Sequence, residues 1–574
     1  MHRVWPLFLL LALATACSAQ LTEADYARAA GLAGRLSNKV YRSTVTPRWL
    51  DGGRQLWYRM QTGPESYETV LVDTRSGRRQ LAFDHARLAA ALGERTGSKL
   101  SANNLQITIL ESKPREMTLG FGGKRWRLDL STYRLEELAG SGSDPAADTL
   151  RPFLPARASA NGEQTLITLE NKSSRTVDLF WIDNAGERVK YGTLAPGETR
   201  VQNTYAGHVW LFAATDGTAL AAFSAEEGPS RAVFDGTSPT PQRPRQPGLS
   251  PDGKRRAFFR DSNVWLQEGE RQTQLTFDGK PGDAYGRDLV WSPNGRFVAT
   301  TRVEAGDTRK VSIVRSSPRD QLQPSLMQID YLKPGDKIAR ERLVLIEVAN
   351  GKVTPADESL TPNPWDLGRF RWTSDSRELL FVYNERGHQV VRLLAVDPES
   401  GRVRSVIEET SPTFVDYNSK LWFDLVGPDV LWMSERSGWN HLYRIDLHTG
   451  RVRNAITSGE WLVRSVERVD PERQELILQV LGHPTLRGDL LPPDPYHVHY
   501  IRVKMDGTGA MMLTQSDGTH RPLQWAPDGE SYVTTYSRVD LPPVTELRSR
   551  AGKLLSVLET ADASALEAAG WMKP

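Results

Sequence analysis

The 574-residue chain has one cysteine, Cys17, so the body of the protein can form no internal disulfide and no thiolate metal site. Its amino-terminal apolar run, Val4 to Ala16, has 13 residues, short of the roughly 20 that a membrane-spanning helix needs. An excess of one charge is missing too: 72 Lys and Arg against 70 Asp and Glu leave +2, no field to attract nucleic acid or an anionic membrane. No Gly is followed by Ser two places and Gly four places later, so the strained elbow that presents a hydrolase nucleophile has no candidate. The ten histidines include no H-E-x-x-H, and no G-x-x-x-x-G-K-[ST] loop is present. No metal and no cofactor is expected. What the chain does have is 46 Gly, 35 Pro and 16 Trp, a turn-rich aromatic composition that points to an all-β fold.

His2 and Arg3 ahead of the apolar run make residues 1–19 a signal peptide. Two processing routes stand open, cleavage after Ala19 or lipidation of Cys17. The product is exported, periplasmic or extracellular, and lipid-anchored if Cys17 is the site.

Short apolar runs follow tight-turn sequences all along the chain. Leu50-Asp51-Gly52-Gly53 precedes QLWYRM, Ser250-Pro251-Asp252-Gly253 precedes AFF, and Ser292-Pro293-Asn294-Gly295 precedes FVATT. Further on, Thr373-Ser374-Asp375 leads into LLFVY, Gly427-Pro428-Asp429 into VLWM, Val469-Asp470-Pro471 into ELILQV, and Ala526-Pro527-Asp528-Gly529 into SYVTTY. Proline presets the first turn dihedral and Asp-Gly or Asn-Gly supplies the positive φ, so each run reads as the start of a strand. Hairpins are expected at 70–83, 264–276, 393–407, 442–457 and 501–514. Pro251 to Pro293 is 42 residues and Pro293 to Ser374 is 81, one and two periods of a four-stranded propeller blade. A pair of β-sandwiches is the alternative, which the repeat disfavours.

The run WMSERSGWNHLYRIDLHTG at 432–450, with Trp525 to Gly529 and TTYSRVDLPP at 534–543, resembles the amino-terminal propeller of the dipeptidyl peptidase IV branch of the prolyl oligopeptidase family. Similar segments are LAFDHARLAAAL at 81–92, DGKRRAFFRDSNVWL at 252–266, and SSPRDQLQP followed by YLKPGD within 316–336. The resemblance covers about 20–150 and 240–574. It implies an eight-bladed propeller that caps a serine peptidase domain cleaving proline-containing peptides and admits only short or unfolded chains. That α/β-hydrolase domain has no counterpart here. Truncation, a split gene with a separate hydrolase partner, and a fragment all fit, and no hydrolysis by this polypeptide alone is expected. The family holds a substrate's amino group with a glutamate pair, but DGKPGDAYGRDLVWSPNG at 278–295 has none, and Glu226-Glu227 reads as a solvated turn. The resemblance therefore does not carry strict dipeptide release, and tripeptide, oligopeptide or endopeptidase action by a partner is equally allowed.

The stretch 158–236 breaks the repeat with strands of its own, TLITLEN, VDLFWID and HVWLFAAT, enough for an inserted sandwich. Through LENKSSR, the Trp181 strand, YGTLAPGETR and TYAGHVWLF it is similar to the von Hippel-Lindau β domain, which binds a hydroxyproline in an extended peptide. The resemblance places Trp181, Tyr191, Thr204, His208 and Trp210 at the pocket positions, with Thr204 for a serine and Asn203 for a backbone-contacting histidine. Aromatic faces can pack the pyrrolidine ring while Thr204 and His208 satisfy its hydroxyl. A site built for a hydroxyl rejects a ligand lacking one, because its own polar atoms would stay unpaired. The plain alternative makes Trp181 and Trp210 sandwich core and His208 a structural histidine. His441 and Trp439 read as blade packing, and His497 and His499 fall on opposite strand faces, which disfavours a metal.

The expected organisation is signal peptide 1–19, propeller 20–152, inserted sandwich 158–236, propeller 240–552, and a terminal segment 553–574 leading towards a hydrolase domain. The leading function is a noncatalytic, peptide-gating propeller of an exported peptidase-family protein, with proline- or hydroxyproline-containing peptides as partners and no nucleic acid. The alternatives are part of an active serine peptidase and a scaffold propeller unconnected with proteolysis.

Overall fold

The computed structural model describes residues 22–122, 124–141, 150, 152–154, 158–160, 164–184, 186–225, 230–236, 248–318, 320–418, 420–484 and 494–574. The expectations for Cys17, the signal peptide and Glu226-Glu227 lie outside them. Among the described residues no helix is long and apolar enough to cross a membrane.

Eight antiparallel sheets of the blade type succeed one another at 48–81, 108–141, 255–274, 283–355, 364–410, 423–455, 462–512 and 519–560, interrupted by a two-sheet sandwich at 164–234. Among the described residues seven sheets have a full set of blade strands; that at 255–274 has three, with Leu249 bridged to Arg256 at its edge. One compact unit comprises the first two sheets with the last, and the other holds the sandwich and the remaining five. Each of the seven quoted runs is a strand and each of the five expected hairpins is formed, for instance Val390–Val396 against Val403–Thr410.

The turn sequences work through side chains as well as dihedrals. Ser292 Oγ donates to Asn294 Oδ1 (2.7 Å) and accepts from Phe297 N (2.9 Å), while Gly295 takes φ +67°. Ser250 with Asp252, and Thr373 with Asp375, repeat the bonding at 2.6 and 2.7 Å. In the last of these Ser376 occupies the positive-φ position, at +62°, that glycine fills elsewhere. Tryptophans that end the first strands then tie sheet to sheet: Trp291 Nε1 donates to Gly248 O (2.6 Å) and Trp372 Nε1 to Val290 O (3.1 Å).

Three expectations change. The 81 residues from Pro293 to Ser374 hold one blade period, not two, because a hairpin arm of Lys310–Arg315 and Ser325–Asp330 is inserted between the second and third strands of the sheet at 283–355. The last sheet runs beyond 552, since Leu554–Thr560 is its outer strand, paired with Val544–Ser549. Trp439 is 41% exposed rather than buried in a blade, for it lies in the turn before His441–Asp446. His441 itself is buried, with its ring nitrogens on Thr457 Oγ1 (3.0 Å) and Gly459 O (2.9 Å).

Candidate functional site

The sandwich is built from a four-stranded sheet, ordered Arg188–Leu194, Val177–Ile182, Val209–Ala213, Ala219–Ser224, and a three-stranded one, ordered Thr199–Tyr205, Gln164–Asn171, Ser230–Phe234. Alternation puts Val177, Leu179, Trp210, Phe212 and Phe223 of the first sheet against Ile167, Leu169, Ala232 and Phe234 of the second. A buried amide helps to join the two sheets. Asn171 Nδ2 donates to the carbonyls of Arg175 (2.8 Å), Leu194 (3.0 Å) and Ala195 (3.1 Å), and its Oδ1 accepts from Ser173 N (3.0 Å) and Oγ (2.6 Å). That fixes LENKSSR and the Ala195-Pro196-Gly197 turn as framework.

The five residues marked by the resemblance lie in one cluster. Trp181 and Trp210 face each other across paired strands. Trp181 lies 5.0 Å, centroid to centroid, from His208, and Tyr191 meets Trp210 edge-on at 4.8 Å. Trp210 Nε1 donates to Thr204 Oγ1 at 2.9 Å, which brings the second sheet into the cluster. Trp210 and Thr204 are buried and Trp181 and His208 half-buried, while Tyr191 is 44% exposed. Trp210 thus belongs to the sandwich core as well as to the cluster.

Tyr191 owes its position to a β-bulge. Leu179 pairs with Gly192 and Phe180 with Lys190, so Tyr191 is the extra residue and the bulge re-aims its ring. Gly192 at φ +130° leaves space for Arg200, whose guanidinium donates to Tyr191 O (3.1 Å) and Thr193 O (3.0 Å).

Polar capacity remains unused. Thr204 Oγ1 accepts the indole N–H, which leaves its own proton to donate. The His208 ring has no hydrogen-bond partner among the described residues, and burial lowers its pKa, which keeps the imidazole neutral at pH 7. Trp181 Nε1 is buried without a partner. Asn203 is on the strand beside Thr204, in register with Leu166. Tyr205, 43% exposed and 5.1 Å from His208, is a fifth aromatic-type neighbour that sequence reasoning did not single out, although it sits between Thr204 and His208 in TYAGH.

In the stretch 278–295 two of the three carboxylates, Asp278 and Asp283, are already engaged, while Asp288 is exposed. Arg302 binds both Asp278 and Asp283, the latter at 2.8 Å, Arg342 adds a contact to Asp283 at 3.0 Å, and Tyr285 donates to Asp278 at 2.9 Å. The Arg302 hydrogen bond holds Asp283 below the usual carboxylate range.

A succession of blade-type sheets carrying an aromatic β-sandwich defines a β-propeller protein with an inserted second β domain. The chain belongs to the family of the dipeptidyl peptidase IV N-terminal region, whose model matches residues 201–543, and residues 157–226 match the VHL beta domain. It is similar to "Probable dipeptidyl peptidase 4" of Aspergillus fumigatus, at 24% identity over 253 residues, 39% of this chain and 32% of that protein. The protein of the same description from Neosartorya fischeri is 23% identical over 327 residues, 51% of this chain and 40% of that one. The chain therefore spans about a third to two-fifths of these curated relatives. Among solved structures, Porphyromonas gingivalis dipeptidyl peptidase 4 aligns with 92% of this chain and 61% of its own, at 17% identity and a TM-score of 0.43.

Proposed function

We propose that this chain is the peptide-gating, noncatalytic propeller part of an exported peptidase-family protein, and that its sandwich reads hydroxyproline in an extended peptide. The observation that carries the reading is the hydrogen bond of Trp210 with Thr204, which leaves one hydroxyl proton in the same cluster as an unbonded, neutral His208 and the rings of Trp181 and Tyr191. Aromatic faces supply area for a pyrrolidine ring. Thr204 and His208 supply the donor and acceptor that its hydroxyl needs.

A partner hydrolase domain would do the cutting. The saturated Asp278–Asp283–Arg302 group supports a module that does not hold a free amino terminus by a carboxylate pair, so the peptides served include longer ones. Calorimetry of the mature chain against two peptides that differ by one proline hydroxyl tests the sandwich, with His208→Ala as the comparison. The hydroxylated peptide should bind at least tenfold tighter, and the variant should lose that preference. Equal affinities for the two peptides in the unmodified chain would remove the hydroxyproline reading.

A further inference from the structure

One backbone amide of the first sheet is held by a side chain where a strand would ordinarily hold it. The outer strand Arg79–Leu81 pairs with Ser66–Asp73 through Val72, Leu71 and Val70. The ladder then runs one bond further, Ala82 N donating to Thr69 O at 2.9 Å. In an antiparallel ladder the return bond would run from Thr69 N to the same residue, but here that N–H donates to His85 Nε2 at 2.8 Å. His85 opens the helix His85–Thr96. Its Leu88, Ala89 and Leu92 share a core with Trp57 and Leu71 of the sheet at 48–81 and with Met117 and Trp126 of the sheet at 108–141. The hydrogen bond thus fastens the first turn of a helix to the sheet it packs on. Thr69 is 2% exposed, so an amide left there without an acceptor is costly.

That bond exists in one protonation state only. Nε2 accepts while it keeps its lone pair, which places the ring proton on Nδ1 and leaves the imidazole neutral. Burial lowers the pKa of the half-buried ring from the ordinary 6.5, and the carboxylates of Glu68 and Asp84 draw it back part of the way. Arginines on the elements around the joint have other partners. Arg42 holds Glu68 at 2.9 Å, Arg59 donates to Asn104 at 2.6 Å and lies over the Tyr67 ring, Arg79 holds Glu559, and Arg87 lies over the Tyr133 ring and donates to Ser131 O at 3.1 Å. A proton added from solvent takes the Nε2 lone pair, and two N–H groups then point at each other across the same short gap. The contact is complete above pH 6.5 and is lost as the pH falls through the lower value of the folded ring.

We propose that His85 is a pH-operated latch: neutral, it pins the helix His85–Thr96 to the first sheet through Thr69; protonated, it frees that amide and loosens the first turn of the helix on the sheet. The latch does not depend on the sandwich reading. Hydrogen exchange of the full chain, followed by mass spectrometry at pH 7.5 and 5.0 and corrected for the intrinsic pH dependence of exchange, reads it in segments 66–72 and 85–92. Protection of both segments should fall at least fivefold at pH 5.0. The strands of the sheet at 283–355, which contains no histidine, are the internal reference and should keep theirs within twofold. His85→Gln supplies a side-chain oxygen that accepts the same N–H without titrating, so its protection should be alike at the two pH values. His85→Leu supplies no acceptor and should show the low protection at both. Protection in the unmodified chain that does not change with pH overturns the latch, as does an equal fall in His85→Gln or in the reference sheet.

Discussion

Thr204 and His208 show how little chemistry separates a packed core from a reader of hydroxyl groups. Thr204→Val keeps the shape but strands the Trp210 indole N–H in a buried place, at a cost of about 1–3 kcal/mol. Chemical denaturation should show that loss, calorimetry should show the preference for a hydroxylated peptide gone, and Thr204→Ser should keep both. His208 adds a pH dependence. Burial lowers its pKa from the ordinary 6.5, so below that value the unfolded chain takes the proton first. Its contribution to stability is full above pH 6.5 and is lost as the pH falls through the lower value in the fold. The imidazolium also loses its acceptor, so affinity for the hydroxylated peptide should decline over the same acidic window, and His208→Gln should give a flat profile in the same titration. The residues of this cluster could be picked out in the sequence because their order along the chain resembled a known pattern. No spacing rule would find them: Thr204 and Trp210 meet across two sheets, and Tyr191 depends on a bulge that alternation cannot foretell.

Among the elements, second strands were legible and first strands were not. LLFVY and ELILQV are continuous apolar runs behind a turn, whereas Pro364–Trp372 and Leu462–Asp470 are broken by bulges and mix arginines with apolar residues. Arg369 at φ +54° inside the former breaks the two-residue period. The helix His85–Thr96 was marked only as part of a similar segment, yet its signals are ordinary: Asp84 caps Ala86 N and Arg87 N at 2.9 and 3.0 Å, and Leu88 and Leu92 recur four apart on its buried face. The hairpin arm misled the repeat count because an insertion between strands lengthens a period without adding a blade. Within the sandwich Asn171 is one of the joints between the sheets. Asn171→Ala should lower the stability of the sandwich by about 2–3 kcal/mol, since it leaves three carbonyls without their donor, two of them partly buried. Thermal unfolding followed by the aromatic circular dichroism signal checks it, and a change below 0.5 kcal/mol would mean that water replaces the amide fully.

For the molecule as a whole, composition and turn repeats gave the all-β class and the blade type. On the function proposed above, the purified chain binds peptides and releases no product from them. Release of product from a chromogenic prolyl substrate by the purified chain, abolished by a serine-directed inhibitor, would refute that. Replacing residues 150–236 with a flexible Gly-Ser linker should leave the blade sheets folded, with the cooperative melting of the remainder within a few degrees of the parent; a molten remainder would show that the blade sheets need the sandwich.

Leu150, which precedes the first sandwich strand, is seated on the last one: its N–H donates to Arg231 O at 2.8 Å, and its side chain shares a core with Ala232 and Phe234. The segment leading into the domain and the strand that closes it are thus neighbours. A domain closed on itself in that way is portable. It can be exchanged for a domain of another specificity, or carried to another protein, without stretching the strands of its host, and selection can alter what is recognised without redesigning the frame that carries it.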